Sequence, residues 1–171
     1  MPTILIDVDY DLDISWTMID WTCFPLGTKI RLGLRVVYPV SYKYRGALKF
    51  LLNTLPAGAT VTQVRLKVYC RVAGAATHLL DIHAYDTNGQ TDVETEAVPP
   101  DCDLGYAHCV SGNLYVNDSD ALRTVGTKWF TLGGSVCTDV QNAKSAVNRF
   151  SLGLHEEGDD ADPHAEIDTL E

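Results

Sequence analysis

Strict alternation of apolar and polar side chains is the feature of this sequence that most constrains its fold. In the segment QVRLKVYCRV (63–72), apolar residues occupy every second position, and Gln, Arg, Lys or Tyr occupy the positions between them. A β-strand directs successive side chains to opposite faces, whereas a helix would scatter these apolar positions around its circumference. The segment therefore predicts a strand with one buried face and one exposed face.

Comparable alternation recurs along the chain and predicts a series of further strands. It is present in residues 4–14 (ILIDVDYDLDI) and in the segments TKIRLGLRVVY, YRGALKFLL, HLLDIHAYD, KWFTL and NRFSLGLH. Turn residues separate these segments, as in LPAGAT, where Pro56 and Gly58 suit the second and fourth positions of a type I turn. Many short strands separated by turns are typical of two antiparallel sheets packed face to face.

One segment predicts a helix. Thr138 is placed to cap the sequence TDVQNAKSAV, in which Val140, Ala143 and Val147 recur at helical spacing. Residues 86–120 are rich in Gly, Pro, Asn and Asp, and predict a long excursion with one short strand near 114–116. The expected fold is all-β: a two-sheet, antiparallel, jelly-roll-like β-sandwich that forms a single domain over residues 1–171, with one short helix near 138–147.

Composition narrows the range of partners. The 171 residues include 13 Lys and Arg against 23 Asp and Glu, and the net charge of −10 repels nucleic-acid phosphates and anionic lipid. No apolar run approaches the roughly 18 residues that a membrane-spanning helix needs. The N-terminal segment lacks the basic region of a secretory signal. We therefore expect protein subunits or glycans as partners, and neither nucleic acid nor a membrane.

Four aspartates alternate with apolar residues near the N-terminus: Asp7, Asp9, Asp11 and Asp13. On a strand they form one row with a spacing of about 6.6 Å, so two neighbours cannot usually bind one Ca²⁺ at about 2.4 Å without help from an adjacent strand. The positions that correspond to the glycine and the glutamate of an EF-hand loop hold Leu12 and Met18. We interpret the row as a solvated strand face.

A second candidate for cation binding is the acidic segment HEEGDDADPH (155–164). Its candidate ligands are Glu157, Asp159, Asp160 and Asp162. Carboxylates at this density repel one another unless they are solvated or bridged by a hard cation. The segment is therefore either a plain acidic surface loop or a calcium site, and no other cofactor is predicted.

The sequence contains no signature of an enzyme. A G-x-S-x-G elbow, an H-E-x-x-H helix, a Gly-rich phosphate loop and a dinucleotide fingerprint are all missing. The five histidines show no visible pairing with a nucleophile, so no catalytic residue is predicted. Trp16 and Trp21 are candidates for stacking on sugar rings, and the alternative is that these aromatic side chains fill the core.

Five cysteines are scattered without a C-x-x-C motif: Cys23, Cys70, Cys102, Cys109 and Cys137. This pattern indicates neither a disulfide framework nor a zinc ribbon, and most of the cysteines are expected to be small buried side chains. In the segment CDLGYAHC, the residues Cys102, His108 and Cys109 leave open a zinc site or a loop-closing disulfide.

The segment YRGALKFLLNTLPAGATVTQVRLKVY (44–69) resembles the DNRLRE and disaggregatase-related group of β-sandwich modules. Those modules show a strand ending in Phe, a turn similar to Leu-Pro-Ala-Gly-Ala-Thr, and a strand ending in Leu-x-Leu-Tyr. The matching residues here are Phe50, Leu55, Pro56, Gly58, Ala59, Leu66 and Tyr69. Residues 129–157 are similar to the later half of such modules.

The resemblance implies a jelly-roll-like sandwich of the kind found in secreted, cell-surface and viral multidomain proteins, often as a carbohydrate-binding or stalk module. It carries over no catalytic residue. The chain departs from the group at Leu51, Leu52 and Asn53, and it stops where such modules usually add a last strand. A sandwich without that strand has an unpaired edge, which a neighbouring subunit or the strand predicted at 4–14 would fill.

Two functional hypotheses follow. The first is a non-enzymatic structural subunit of an extracellular or virion assembly, such as a capsid decoration, fibre or surface filament protein, that contacts its neighbours through sheet edges. It predicts a homo-oligomer or a capsid or filament neighbour as the partner. The alternative is a carbohydrate-binding module of a secreted enzyme or adhesin. Both hypotheses place the protein on a virion or an extracellular surface.

Overall fold

The alternating segments form strands, and the predicted all-β sandwich is confirmed. A computed structural model describes residues 4, 6, 8–16, 21–25, 29–97, 101–160 and 162–168. Within these described residues the ten strands are β1 (Val8–Trp16), β2 (Trp21–Pro25), β3 (Lys29–Val37), β4 (Val40–Leu51), β5 (Val64–Val72), β6 (Leu80–Ala84), β7 (Leu114–Ser119), β8 (Gly126–Leu132), β9 (Arg149–Glu156) and β10 (Ala165–Asp168).

Antiparallel pairing joins the described strands into one continuous ten-stranded sheet, whose two halves pack on each other as two layers. The six-stranded layer has the order β2-β1-β4-β9-β6-β7, and the four-stranded layer has the order β3-β10-β5-β8. Strand β3 joins them, because Ile30 and Leu32 pair with β10 whereas residues 33–37 pair with β4. Gly33 lies at the crossing point with a φ of 102°, a conformation that glycine adopts without steric cost.

The main core lies between the two layers. In β5 the predicted alternation is confirmed, since Leu66, Val68 and Cys70 are buried while Arg65 and Lys67 are exposed. Inward-facing side chains from both layers complete this core, and its larger members include Ile30, Leu32, Leu48, Leu66, Val68, Leu80, Ile82, Phe130, Phe150, Leu152, Leu154 and Ile167.

The predicted helix is present as α2 (Val136–Ala146), and its start differs from expectation. Ser135 occupies the N-cap position instead of Thr138, which lies inside the first turn. Val140 and Ala143 pack into the main core, as their spacing indicated. No helix in the described part of the chain has the length and apolar character needed to cross a membrane.

The excursion predicted over residues 86–120 contains more regular structure than the sequence indicated. It holds a 3₁₀ helix (Val93–Glu96) and an α-helix, α1 (Cys102–His108), which precedes α2 in the chain. Strand β7 begins after both. We call residues 86–112 the covering segment. Its described residues, 86–97 and 101–112, pack on the side of the six-stranded layer that faces away from the main core. A second apolar cluster lies there: Ile14, Ala47, Tyr85, Val93, Ala97, Tyr106 and Cys109.

Two strands differ from expectation. The pairing of β1 with β4 slips between Val8 and Tyr10, so that Val8 packs against the main core while Ile14 lies in the second cluster on the opposite face. The expectation that the sandwich lacks its last strand is wrong, since Ala165–Asp168 forms β10 between β3 and β5. Strand β1 also pairs within the chain, so neither strand leaves a gap that a partner must fill.

Candidate functional site

The outward side of the six-stranded layer carries polar residues that the covering segment largely buries. Arg45 and Lys49 come from β4, His155 comes from β9, and Asp81 and His83 come from β6, each of them alternating with residues of the main core. We call this surface the covered face. The charges on it are sheltered from water and need partners within the protein.

Arg45 is a buried charge of the covered face with several hydrogen-bond partners. Its Nε donates hydrogen bonds to both carboxylate oxygens of Asp159, at 3.2 and 3.1 Å, and its Nη1 donates to the carbonyl oxygen of Tyr106 at 3.0 Å. The Tyr106 hydroxyl donates to Oδ2 of the same aspartate at 3.1 Å. Burial alone would lower the pKa of Arg45, but the hydrogen bond and the charge of Asp159 raise it. This arrangement is a satisfied structural ion pair.

Lys49 forms an ion pair with Asp9, one of the four N-terminal aspartates. Its Nζ lies 3.0 Å from Oδ2 of Asp9 and 3.7 Å from Oδ1 of Asp92, and it also contacts Glu94. Asp9 therefore pairs with a buried lysine instead of only facing water. The rest of the row, Asp7 and the side chains of Asp11 and Asp13, lies outside the described part of the structure.

A third polar group joins the covering segment to the end of β6. Glu96 accepts a hydrogen bond from the Tyr85 hydroxyl at 2.5 Å and lies 2.9 Å from Nδ1 of His108. Burial raises the pKa of Tyr85, which keeps its hydroxyl protonated as a donor. Glu96 therefore links the Tyr85 hydroxyl to the His108 ring.

Asp81, His83 and His155 form a different kind of cluster, because their donor atoms converge. In the described residues this is the one group of three or more candidate metal ligands whose donor atoms all lie within 4.8 Å of one another. Nε2 of His155 is 3.2 Å from Nε2 of His83 and 3.6 Å from Oδ2 of Asp81. Burial lowers the pKa of His155. The cluster lies between β6 and β9, where Asp81 is directly opposite His155.

The predicted calcium loop does not converge in the same way. Its candidate ligands were Glu157, Asp159, Asp160 and Asp162. Asp159 is buried against Arg45, and a hydrogen bond to the Asp118 carboxyl raises the pKa of the exposed Glu157. The other two residues are exposed. Among the described residues no three of these carboxylates form a cage, so calcium binding here stays a prediction from the sequence.

The structure places the backbones of Trp16 and Trp21 together, as direct partners at one end of the β1–β2 ladder. The side chains of both residues lie outside the described part of the structure. Sugar stacking at this position therefore stays a prediction.

The outward side of the four-stranded layer, which we call the bare face, presents exposed aromatic and basic side chains. We define the cationic aromatic patch as Arg65, Lys67 and Tyr69 on β5 together with Trp129 on β8. Trp129 is 51% exposed and Tyr69 is 47% exposed. The Arg65 guanidinium carbon lies 4.6 Å and the Lys67 Nζ lies 5.8 Å from the centre of the Trp129 ring. Neither cation pairs with a carboxylate of the described residues.

The cysteines correct a further expectation. Cys102 forms a disulfide with Cys23, which ties α1 to β2. This bond excludes both a loop-closing bridge between Cys102 and Cys109 and a zinc site that uses Cys102. Cys109 is buried, its thiol donates to the carbonyl oxygen of Gly46 at 3.2 Å, and burial raises its pKa to about 12. That thiol is therefore a poor nucleophile at neutral pH.

Comparison with known proteins identifies no relative of this chain: no family model, no curated protein and no solved structure matches it. The resemblance to the DNRLRE and disaggregatase-related group stays a prediction from the sequence.

Two groups of residues were missed from the sequence. Asp81 and His83 are two positions apart in a strand, which places both side chains on one face, and this was the available signal. Their meeting with His155 depends on the pairing of β6 with β9, which no local pattern reveals. Trp129 belongs to a correctly predicted strand, β8. Its exposure follows because the covering segment packs on the six-stranded layer and not on the outward side of β8.

Proposed function

We propose that this protein is a non-catalytic, extracellular β-sandwich module that binds an anionic polysaccharide through the cationic aromatic patch. One observation carries the proposal: Arg65 and Lys67 flank the half-exposed ring of Trp129 without a carboxylate partner among the described residues. Cations that lack an internal partner remain available to an anionic ligand. An exposed indole ring offers a flat apolar surface for a sugar ring.

The arrangement of the patch supports a polymeric ligand. Lys67 is directly opposite Trp129 in the β5–β8 ladder. Tyr69 is two pairs further along, on the same face and diagonal to Trp129. Diagonal neighbours of this kind are about 7–8 Å apart, so the two aromatic side chains lie side by side on one surface. Guanidinium and ammonium groups beside them suit the carboxylates of uronic acids or the sulfates of sulfated sugars.

Electrostatics favour a selective interaction over a general one. The chain has a net charge of −10, so most of its surface repels polyanions. A local positive patch on such a protein attracts only a ligand that also makes close contact there. The Cys23–Cys102 disulfide supports an extracellular location, because disulfides persist in oxidising compartments.

Calorimetric titration with polygalacturonate or alginate, with dextran as a neutral polymer, tests the proposal. We expect the wild type to bind an acidic polymer, and Trp129→Ala to weaken binding about ten-fold or more, the equivalent of about 1.4 kcal/mol. Lys67→Gln should weaken binding and reduce its dependence on salt. Tyr38→Ala is the matched control, because Tyr38 is 94% exposed and lies outside the patch.

Three results would overturn the assignment. The first is a wild type that binds none of these acidic polymers at low salt. The second is an equal loss of binding in Tyr38→Ala and Trp129→Ala. The third is equally tight binding to single-stranded nucleic acid, because that result would indicate charge without recognition of sugar.

A structural subunit of an extracellular or virion assembly, such as a capsid decoration, fibre or filament protein, is the second candidate function. It is favoured by the tip of the β3–β4 hairpin, where Val36, Val37 and Tyr38 are 51%, 46% and 94% exposed. Such an apolar tip is suited to contact with a neighbouring subunit. Native mass spectrometry of the wild type and of Tyr38→Ser tests it: oligomers that the substitution dissociates support this function, and a wild-type monomer at all concentrations contradicts it.

A further inference from the structure

We propose that Asp81, His83 and His155 bind a divalent first-row transition-metal ion, and specifically Zn²⁺. The ligand atoms are Oδ2 of Asp81 and Nε2 of each histidine. The site lies on the covered face, away from the cationic aromatic patch, so it does not depend on the proposed glycan binding.

The strands set the positions of the three ligands. Asp81 and His83 are two residues apart in β6 and therefore project to the same side of the sheet. His155 lies directly opposite Asp81 in the neighbouring strand β9. Ligands on two paired strands are held by the backbone ladder, which makes such a site more rigid than one built on a loop.

The hydrogen bonds of the two imidazoles fix which nitrogen faces the site. Nδ1 of His83 lies 3.1 Å from the carbonyl oxygen of Gly112, and Nδ1 of His155 lies 2.9 Å from the carbonyl oxygen of Glu156. A carbonyl oxygen only accepts, so each Nδ1 carries a proton, and a neutral ring in this tautomer presents a lone pair on Nε2. Two lone pairs that face each other at 3.2 Å repel, and a cation between them removes that repulsion.

The distances suit zinc. An ion about 2.05 Å from both Nε2 atoms, the usual Zn–N length, would make an N–Zn–N angle of roughly 100° at the observed separation of 3.2 Å, close to tetrahedral. Oδ2 of Asp81 is 3.6 Å from Nε2 of His155, which suits a third ligand. Two imidazoles disfavour Ca²⁺ and Mg²⁺, which prefer oxygen ligands.

Groups around the cluster also fit a metal site. The Gly112 and Glu156 carbonyl oxygens orient the two rings, as partners of metal-binding histidines commonly do. The backbone N–H of Asp118 donates to Oδ1 of Asp81 at 2.7 Å and leaves Oδ2 for the ion. Arg45 is the cross-strand neighbour of His155, but its charge is neutralised by Asp159. Arg45 therefore does not exclude a metal ion.

A bound ion would connect β6 to β9. Through the Gly112 carbonyl, it would also order the end of the covering segment. Since the ion binds the folded protein and the unfolded chain lacks the site, it should raise the melting temperature by mass action. At a free Zn²⁺ concentration about 100 times the dissociation constant, the expected increase is on the order of 5–10 °C.

The experiment is thermal unfolding of the full chain, stripped with a chelator, with and without added ZnCl₂. We expect the increase in the wild type and its loss in His83→Gln and Asp81→Asn. His164→Gln is the matched control, because it removes a buried histidine elsewhere in the fold and should keep the increase. Cys137→Ser should also keep it, because that free thiol lies outside the cluster.

A second measurement uses the wild type alone and does not depend on how the variants fold. X-ray absorption at the zinc edge should show a first shell of nitrogen and oxygen with two imidazoles. A sulfur ligand in that shell would overturn the proposal, as would the lack of any thermal shift in the wild type. A shift that persists in both His83→Gln and Asp81→Asn would also overturn it, because the ion would then bind elsewhere.

Discussion

The covered face and the bare face are built by the same strand alternation, but the cations Arg45 and Lys49 of the first have different partners from Arg65 and Lys67 of the second. On the covered face, the Arg45 and Lys49 side chains are 15% and 6% exposed, and each contacts carboxylates. On the bare face, Arg65 and Lys67 are exposed and contact the Trp129 ring without a carboxylate partner in the described residues.

This difference shows that burial under the covering segment determines whether the polar side chains of a strand face pair with one another or stay open to a ligand. A buried charge without a partner is strongly destabilising, so the residues under the covering segment are committed to one another. An exposed charge is solvated by water at little free-energy cost and can exchange that water for a ligand. Arg45 and Lys49 therefore support the fold, while Arg65 and Lys67 are available for binding.

The largest expected effect on stability comes from removing Arg45 from its ion pair with Asp159. Arg45→Met should lower the free energy of unfolding by about 3–5 kcal/mol, because it leaves Asp159 buried without its cation. Arg65→Met, the matched change on the bare face, should alter it by no more than about 0.5 kcal/mol. Urea unfolding monitored by circular dichroism measures both values.

Equal values for the two variants would contradict the comparison. A loss below about 1 kcal/mol for Arg45→Met would mean that water reaches Asp159, and that the covering segment does not shelter this face.

Much of the fold was predictable because alternation is a local signal. The strand at 63–72 was predicted with its buried and exposed faces, and the helix near 138–147 was placed within two residues of its start. The one-residue slip in β1 was not predictable, since it depends on pairing with β4. Strand β10 alternates Ala165 and Ile167 with Glu166 and Asp168, but it has only four residues, and its place between β3 and β5 depends on pairing.

The candidate sites were less predictable, because cover and cross-strand neighbours are properties of the whole fold. The charge density of the acidic segment 155–164 predicts a calcium site. In the structure, however, Asp159 pairs with Arg45, which lies in a strand distant in sequence. No local pattern separates the residues of the covered face from those of the bare face. Helix α1 was missed for a related reason, since a disulfide and the second apolar cluster hold it in place.

The disulfide gives the next largest effect, because it fastens the cover to the sheet. The double variant Cys23→Ser and Cys102→Ser should lose about 2–5 kcal/mol of unfolding free energy, since the bond joins residues 79 positions apart. Cys137→Ser, which removes a free cysteine, is the control and should change little. If reductant leaves the wild-type melting temperature unchanged, the Cys23–Cys102 bond does not stabilise the packing of the covering segment on the sheet.

Gly153 tests how closely the cover approaches the sheet. A Cβ added there would clash with the backbone of Cys109, so Gly153→Ala must push the covering segment away, at about 1–3 kcal/mol. Limited proteolysis should then cleave within 86–112 faster than in the wild type. Thr131→Ala on the bare face should change neither stability nor cleavage. An unchanged cleavage rate in Gly153→Ala would indicate a looser cover.

The smallest effect concerns an ion pair of the bare face and depends on pH. Burial alone would raise the pKa of Glu166, but hydrogen bonds from Lys29 at 2.8 Å and with His164 at 3.2 Å lower it below its usual value. A carboxyl whose pKa is lower in the folded state stabilises the fold above its unfolded pKa of about 4.3. That contribution is lost as the pH falls through the folded pKa.

Glu166→Gln should therefore be less stable than the wild type at pH 7 by about 1 kcal/mol or less, and the difference should shrink toward zero as the pH falls below about 4. Asp168→Asn is the control on the same strand, since the Arg71–Asp168 pair is longer, at 3.5 Å, and more exposed. Its effect should be smaller at every pH, because water screens that pair. Urea unfolding midpoints of the wild type and both variants, measured from pH 3 to 7, test these two expectations. If Glu166→Gln destabilised the protein as much as Arg45→Met, charge pairs would contribute equally on both faces, and cover would not explain their different roles.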